Sequence, residues 1–206
     1  MQTLFDPPAP RYDTLDDLIA AMMAMDDDPL HDAGTRMVIC RGNPAARLMI
    51  VGEAPGPREN EIGRPFVGRS GQLLEKILAA VQFDMDEDVF ISNSVFRMPP
   101  GVGGKTFRKP TNDEIAYYKP YLLEIIRLVD PLIMLLSGNV ATQAILGKTG
   151  ITRLRGEWTE WNGRFVMPIF HPAYLLRNPS RNVGSPKSLI WKDIQEVRRK
   201  YDELVK

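Results

Sequence analysis

The chain predicts an α/β fold: a three-layer α/β/α sandwich with a four-stranded, mainly parallel central sheet. Three observations carry that expectation. Short continuous apolar runs recur at 48–51, 89–93, 132–137 and 165–170 of the 206 residues. Stretches with apolar residues at helical spacing separate them. The hydrophobic fraction of 44% and charged fraction of 25% suit an ordinary globular core. Uninterrupted apolar runs fit strands covered on both faces, and strands alternating with helices imply a parallel sheet.

The elements follow in order. Residues 1–12, with Pro7-Pro8-Ala9-Pro10, read as a poorly ordered leader to a single domain spanning 1–206. From Leu15 to Met23 apolar residues repeat at helical spacing, with Asp13 or Thr14 as cap and Asp26-Asp27-Asp28-Pro29 as stop. Leu48-Met49-Ile50-Val51 forms the first strand, halted by Gly52. Gln72–Leu78 is helical, and Val89–Asn93 is the second strand. Gly101-Val102-Gly103-Gly104-Lys105 is a flexible loop. Thr111 opens a helix in which Glu114 completes a capping box, and Pro120 predicts a kink or break inside it. Leu132–Ser137 is the third strand, and Asn139 caps the next helix. Trp158 and Trp161 alternate as packing residues of a strand, and Phe165–Phe170 is the fourth apolar run. Ser185 or Pro186 opens a last helix through Trp191 to Leu204.

Composition excludes several classes. No apolar run approaches the ~20 residues of a membrane helix. The first residues have neither a basic flank nor a long apolar core, so they are no signal peptide, and a cytoplasmic protein is expected. Cys40 is the only cysteine, which excludes an intramolecular disulfide and a cysteine-based metal site. Residues 1–35 hold eight Asp and one Arg, while the rest carries 25 basic and 18 acidic residues. A basic body is compatible with nucleic acid as partner.

In open parallel sheets, ligands bind beyond the carboxyl ends of the strands. The residues there are Gly52-Glu53-Ala54-Pro55-Gly56, Asn93, Ser137-Gly138-Asn139 and His171-Pro172.

These same junctions carry a resemblance. The run Gly52–Gly56, followed by Gly63-Arg64-Pro65-Phe66-Val67-Gly68-Arg69-Ser70-Gly71-Gln72-Leu73-Leu74, resembles the first motif of family-4 uracil-DNA glycosylases. Ile91-Ser92-Asn93 with Pro99-Pro100-Gly101 resembles the second, and His171-Pro172-Ala173-Tyr174-Leu175-Leu176-Arg177 the third. Pro110-Thr111, Pro120-Tyr121-Leu122 and Arg155-Gly156 also match in order, so the similarity covers about residues 25–200.

The resemblance implies a monofunctional enzyme of base excision repair. It would extrude uracil from single- or double-stranded DNA and hydrolyse its bond to the sugar, leaving an abasic site and free uracil. Phe66 would stack on the base. Asn93 would accept from uracil N3–H and donate to O4, a pattern that cytosine inverts. His171 would donate to O2 as negative charge develops. Glu53 and Glu59 are the candidates for positioning the attacking water, and Gly52 and Ala54 would shape the pocket. Tyr174, Leu175, Arg177 and Arg155 would contact DNA, with Leu175 or Leu176 as a wedge.

Departures from the family accompany the match. Family-1 relatives have aspartate where this chain has Ala54, a lack that family 4 shares. Family-4 members ordinarily hold a 4Fe–4S cluster with four cysteines. The corresponding positions here are Met25, Asp28, Arg97 and Tyr118. The chain is therefore expected to work with no cofactor and no metal, as a monomer off the membrane. One subfamily traps DNA covalently through a histidine held by an arginine-rich insert. Here Pro168-Ile169-Phe170 runs directly into His171, which favours turnover. Two alternatives remain: a DNA-lesion-binding protein of the same fold with weak or no catalysis, and a glycosylase for mismatched bases or hypoxanthine.

Overall fold

A computed structural model describes residues 11–104 and 106–205. The leader up to Pro10, and Lys105 of the expected flexible loop, lie outside the described residues. In chain order the elements are α1 (Leu15–Met23), β1 (Cys40–Gly42), β2 (Leu48–Gly52), α2 (Pro57–Ile62), α3 (Arg69–Ala79), β3 (Val89–Asn93) and α4 (Asn112–Val129). Then follow β4 (Ile133–Ser137), α5 (Asn139–Leu146), α6 (Ile151–Leu154), β5 (Thr159–Trp161), β6 (Arg164–Ile169), α7 (Pro172–Arg177) and α8 (Pro186–Leu204).

The sheet has six strands rather than the expected four, in the order β1-β3-β2-β4-β6-β5. The four apolar runs are its parallel centre, β3-β2-β4-β6. Short antiparallel strands close both edges, β1 on β3 and β5 on β6. Each edge strand spans three residues, too few to show an alternating pattern in sequence.

Alternate side chains of the central strands feed two cores. Met49, Val51, Phe90, Met134, Leu136 and Val166 pack with the buried faces of α1, α4 and α5. Leu48, Ile50, Val89, Ile91, Ile133, Leu135, Met167 and Ile169 pack with α3, α7 and α8 on the opposite side. That division makes the three layers. Pro168 is tolerated inside β6 because β5 pairs only as far as Val166. Beyond that point no neighbouring strand needs the missing N–H, and Gly156 donates to the Pro168 carbonyl at 3.0 Å.

Local signals set the helix ends. Thr14 caps α1 by accepting from the Asp17 N–H. Thr111 and Glu114 form the reciprocal capping box of α4, and Arg108 clamps both Glu114 oxygens at 2.6 and 2.8 Å. Ser185 caps α8. Two expectations need correction. The helix of α4 runs through Pro120 without a break, because its flanking turns are anchored by buried Ile115, Tyr118, Leu122 and Ile125. Gly138, not Asn139, is the cap residue of α5. The Asn139 side chain turns instead to accept from Gly150 and Ile151 N–H, at 3.0 and 2.9 Å, and so holds the start of α6.

Thr111→Ala removes one half of the capping box. The expected result is a loss of about 1 kcal/mol in unfolding free energy, read as a lower urea midpoint at unchanged slope.

Candidate active site

One cleft of about 1080 Å³ opens at the carboxyl ends of the central strands. Its lining includes Glu53, Ala54, Phe66, Asn93 and His171 from the expected set, together with Glu59, Tyr174 and Arg177. The register explains the convergence. Gly52 pairs with Asn93 across β2 and β3, and Ser137 with Ile169 across β4 and β6, two residues before His171.

Gly52 is the tightest point. A Cβ there would lie 2.6 Å from the Phe66 ring and closer still to Asn93 Oδ1. Only hydrogen fits between the two side chains. Phe66 itself holds a left-handed backbone, φ 55°, a conformation costing a bulky residue about 1–3 kcal/mol. Neighbouring structure enforces it. Gly71, buried in α3, lets the Phe66 carbonyl approach where any Cβ would overlap it. Arg41 donates to that carbonyl at 3.4 Å. Phe66 and His171 face one another with ring centroids 6.3 Å apart, inclined by 37°.

Asn93 is buried, yet its amide makes no hydrogen bond within the protein among the described residues. Its amide atoms are not among the fully buried unpartnered ones, so they open on the cleft.

His171 caps α7. Its Nδ1 accepts the Ala173 N–H at 3.1 Å, so the neutral ring carries its proton on Nε2. Burial, then the charges of Arg177 and Lys109, lower its pKa to about 4. The imidazole is thus a neutral donor near pH 7. Glu53 responds oppositely: burial raises its carboxyl, and Lys109 and Arg177 pull it part of the way back.

Other expected residues have structural duties. Glu59 Oε1 accepts the N–H groups of Val67 and Gly68, at 2.9 and 2.7 Å, and so shapes the loop that follows Phe66. Leu175 is 1% exposed and belongs to the core, whereas Tyr174 and Leu176, each 37% exposed, line the cleft. Of the two leucines considered for a wedge, Leu175 is thus withdrawn from the cleft, because the α7 face that carries it packs toward α3 and α8. Arg155 is engaged by Asp193 and the Leu189 carbonyl, tying the end of α6 to α8, and is outside the cleft lining. Sequence reading missed Phe107 and Lys109, which also line the cleft. Their signal was position: they immediately precede the matching Pro110-Thr111.

A family model for the uracil DNA glycosylase superfamily matches residues 40–195. The chain belongs to that superfamily. It is 37% identical over 173 residues to a Type-4 uracil-DNA glycosylase of Thermotoga maritima, covering 82% of this chain and 85% of the relative. A Type-4 uracil-DNA glycosylase of Sulfurisphaera tokodaii is 35% identical, over 80% of this chain and 74% of its own length. The corresponding figures for one from Archaeoglobus fulgidus are 34%, 81% and 85%.

The iron–sulfur cluster usual in family 4 does not fit this member. With Cys40 as its one cysteine, the chain lacks the thiolates. Among the described residues, no group of three or more His, Cys, Asp or Glu is arranged to hold a metal ion. No helix among them is long and apolar enough to cross a membrane.

The low pKa of His171 has a consequence for stability. The unfolded chain takes up this proton near pH 6.5 and the folded one only near 4. Stability is complete above the upper value and falls as pH drops between the two, by roughly 3 kcal/mol at the bottom. Comparing urea midpoints of the native chain and His171→Asn from pH 7 to 4 should show this loss only with histidine present.

Proposed function

We propose that this chain is a monofunctional uracil-DNA glycosylase that works as a monomer and without a metal cofactor. The observation that carries the reading is the meeting of Phe66, Asn93 and His171 in one cleft, around a glycine that admits no side chain. The named relatives support the substrate.

The chemistry follows from these groups. An extruded uracil would lie against the Phe66 ring, with the Asn93 amide reading N3–H and O4. The bond between sugar C1′ and uracil N1 breaks, and its electron pair goes to the base. His171, a neutral donor through Nε2, would stabilise the charge gathering on O2. Water adds its oxygen to C1′, one of its protons passes to solvent, and the uracil anion is protonated on leaving. Glu53 is better suited than Glu59 to orient that water, since Glu59 is occupied by two backbone N–H groups. Burial raises the Glu53 carboxyl above its ordinary value, and Lys109 and Arg177 oppose that shift by favouring the carboxylate. Ala54 and the backbone of Gly52 would form the wall beside the base.

DNA would run along the cleft, whose walls include Tyr174, Leu176, Arg177, Phe107 and Lys109. Phe107 is 58% exposed, a large aromatic surface lining the cleft. Neither Lys109 nor Arg177 forms a salt bridge among the described residues, which leaves both free for phosphates.

The decisive assay is alkaline cleavage of an oligonucleotide with a single uracil after incubation with the protein. Uracil strands should be cut, and thymine and hypoxanthine strands should remain intact. His171→Ala should lower the rate about 10²–10³-fold, and Asn93→Ala should reduce it comparably. An uncut uracil strand, with folded protein, would leave the lesion-binding alternative. For the walls, titrations at several salt concentrations are informative. Removal of Lys109 or Arg177 should each reduce the slope of log K against log salt by about 0.7–0.9.

A further inference from the structure

The four positions that the family resemblance matches to cluster ligands, Met25, Asp28, Arg97 and Tyr118, meet in this fold, although none can serve as a thiolate. Asp28 is the hub. Its Oδ2 accepts Arg97 Nε at 2.8 Å. Its Oδ1 accepts the Tyr118 hydroxyl and the Leu30 N–H, the latter at 3.0 Å. Arg97 extends the network, donating from Nη1 to the Thr35 carbonyl and from Nη2 to the Met25 carbonyl at 3.4 Å. Asp28, Arg97 and Tyr118 are all buried, and Phe96 packs edge-on against the Tyr118 ring at 5.5 Å. Burial and the bond to Asp28 push the Tyr118 hydroxyl far up, so it remains a donor throughout the working pH range. Beside it, Tyr117 donates to Asp27 at 3.1 Å.

The donor chemistry rules out a second role as a metal site. A guanidinium has no lone pair to offer a metal. Its charge is already satisfied by a carboxylate and two carbonyls. The network joins the segment after α1, the segment before β1, the run after β3 and the middle of α4. The run after β3 matters to the cleft. Arg97 lies four residues past Asn93, and between them Ser94 and Val95 donate to the Gly52 and Glu53 carbonyls at 2.9 and 3.1 Å. Anchoring Arg97 therefore fixes the stretch that carries the cleft's open amide.

We infer that this buried clasp of carboxylate, guanidinium and phenol is the chain's replacement for the iron–sulfur cluster, joining the same segments by ionic and hydrogen bonds. A buried pair of this kind reveals itself by coupling: removing one partner strands the other, whereas removing both does not.

The test has two arms, neither of which depends on the substrate. In the first, thermal midpoints are measured for Asp28→Asn, Arg97→Met and the double variant. Each single change should lower the midpoint by roughly 10 °C, and the double variant should lose clearly less than the sum. Additive losses would overturn the clasp. In the second, Met25→Cys, Asp28→Cys, Arg97→Cys and Tyr118→Cys are combined, and the protein is reconstituted anaerobically with iron and sulfide. It should gain a broad visible absorption band and about four iron atoms per chain, while the unaltered chain under the same treatment gains none. Iron bound by the unaltered chain, or a folded four-cysteine variant that takes up no iron, would sink the replacement. If that variant does not fold, the coupling measured in the first arm still decides.

Discussion

Between β2 and β3 the chain sets a hydrogen atom where any other residue has carbon. Gly52 and Asn93 are register partners, and the Phe66 ring closes over both. Everything else at the cleft is arranged around that contact. Phe66 reaches it only from a left-handed backbone, which in turn requires Gly71 to lack a side chain. The loop leaving Phe66 is held by Glu59. A strained aromatic, two glycines and a carboxylate thus form one mechanical unit, kept in shape by the sheet beneath it.

Electrostatics adds a second level of order. His171 is buried at a helix start and beside two cations, each of which disfavours its charged form. The same burial favours the neutral form of Glu53, while the same cations favour its carboxylate. One neighbourhood therefore holds an uncharged donor and an acid–base group with opposed tendencies. In the proposed reaction this separation would divide labour between His171 as the group that stabilises charge and Glu53 as the one that orients water.

Much of this was legible in sequence. The four central strands are buried on both faces, so each appears as an unbroken apolar run, and the Thr111–Glu114 box marks its helix by two residues alone. The motif order brought out Phe66, Asn93 and His171. The edge strands were hidden because three residues carry no period. Arg155 and Leu175 were misread for a common reason: a sequence does not say whether an arginine has an interior partner such as Asp193, or which of two adjacent leucines faces inward. Lys109 and Phe107 were overlooked because what marks them is that they line the same cleft as residues of α7, a relation no local pattern contains.

The joint around Asp28 also bears on the order in which the molecule assembles. Its partners Arg97 and Tyr118 are 69 and 90 residues away along the chain, so it closes long loops whose entropy must be met first. A metal centre can gather its ligands from a loose chain, since binding energy itself drives folding. A carboxylate and a guanidinium have no such reach, because in water each is well solvated alone. Here the charges are withdrawn from solvent only where the hydrophobic layers pack around them, which ties the integrity of the joint to that of the whole core.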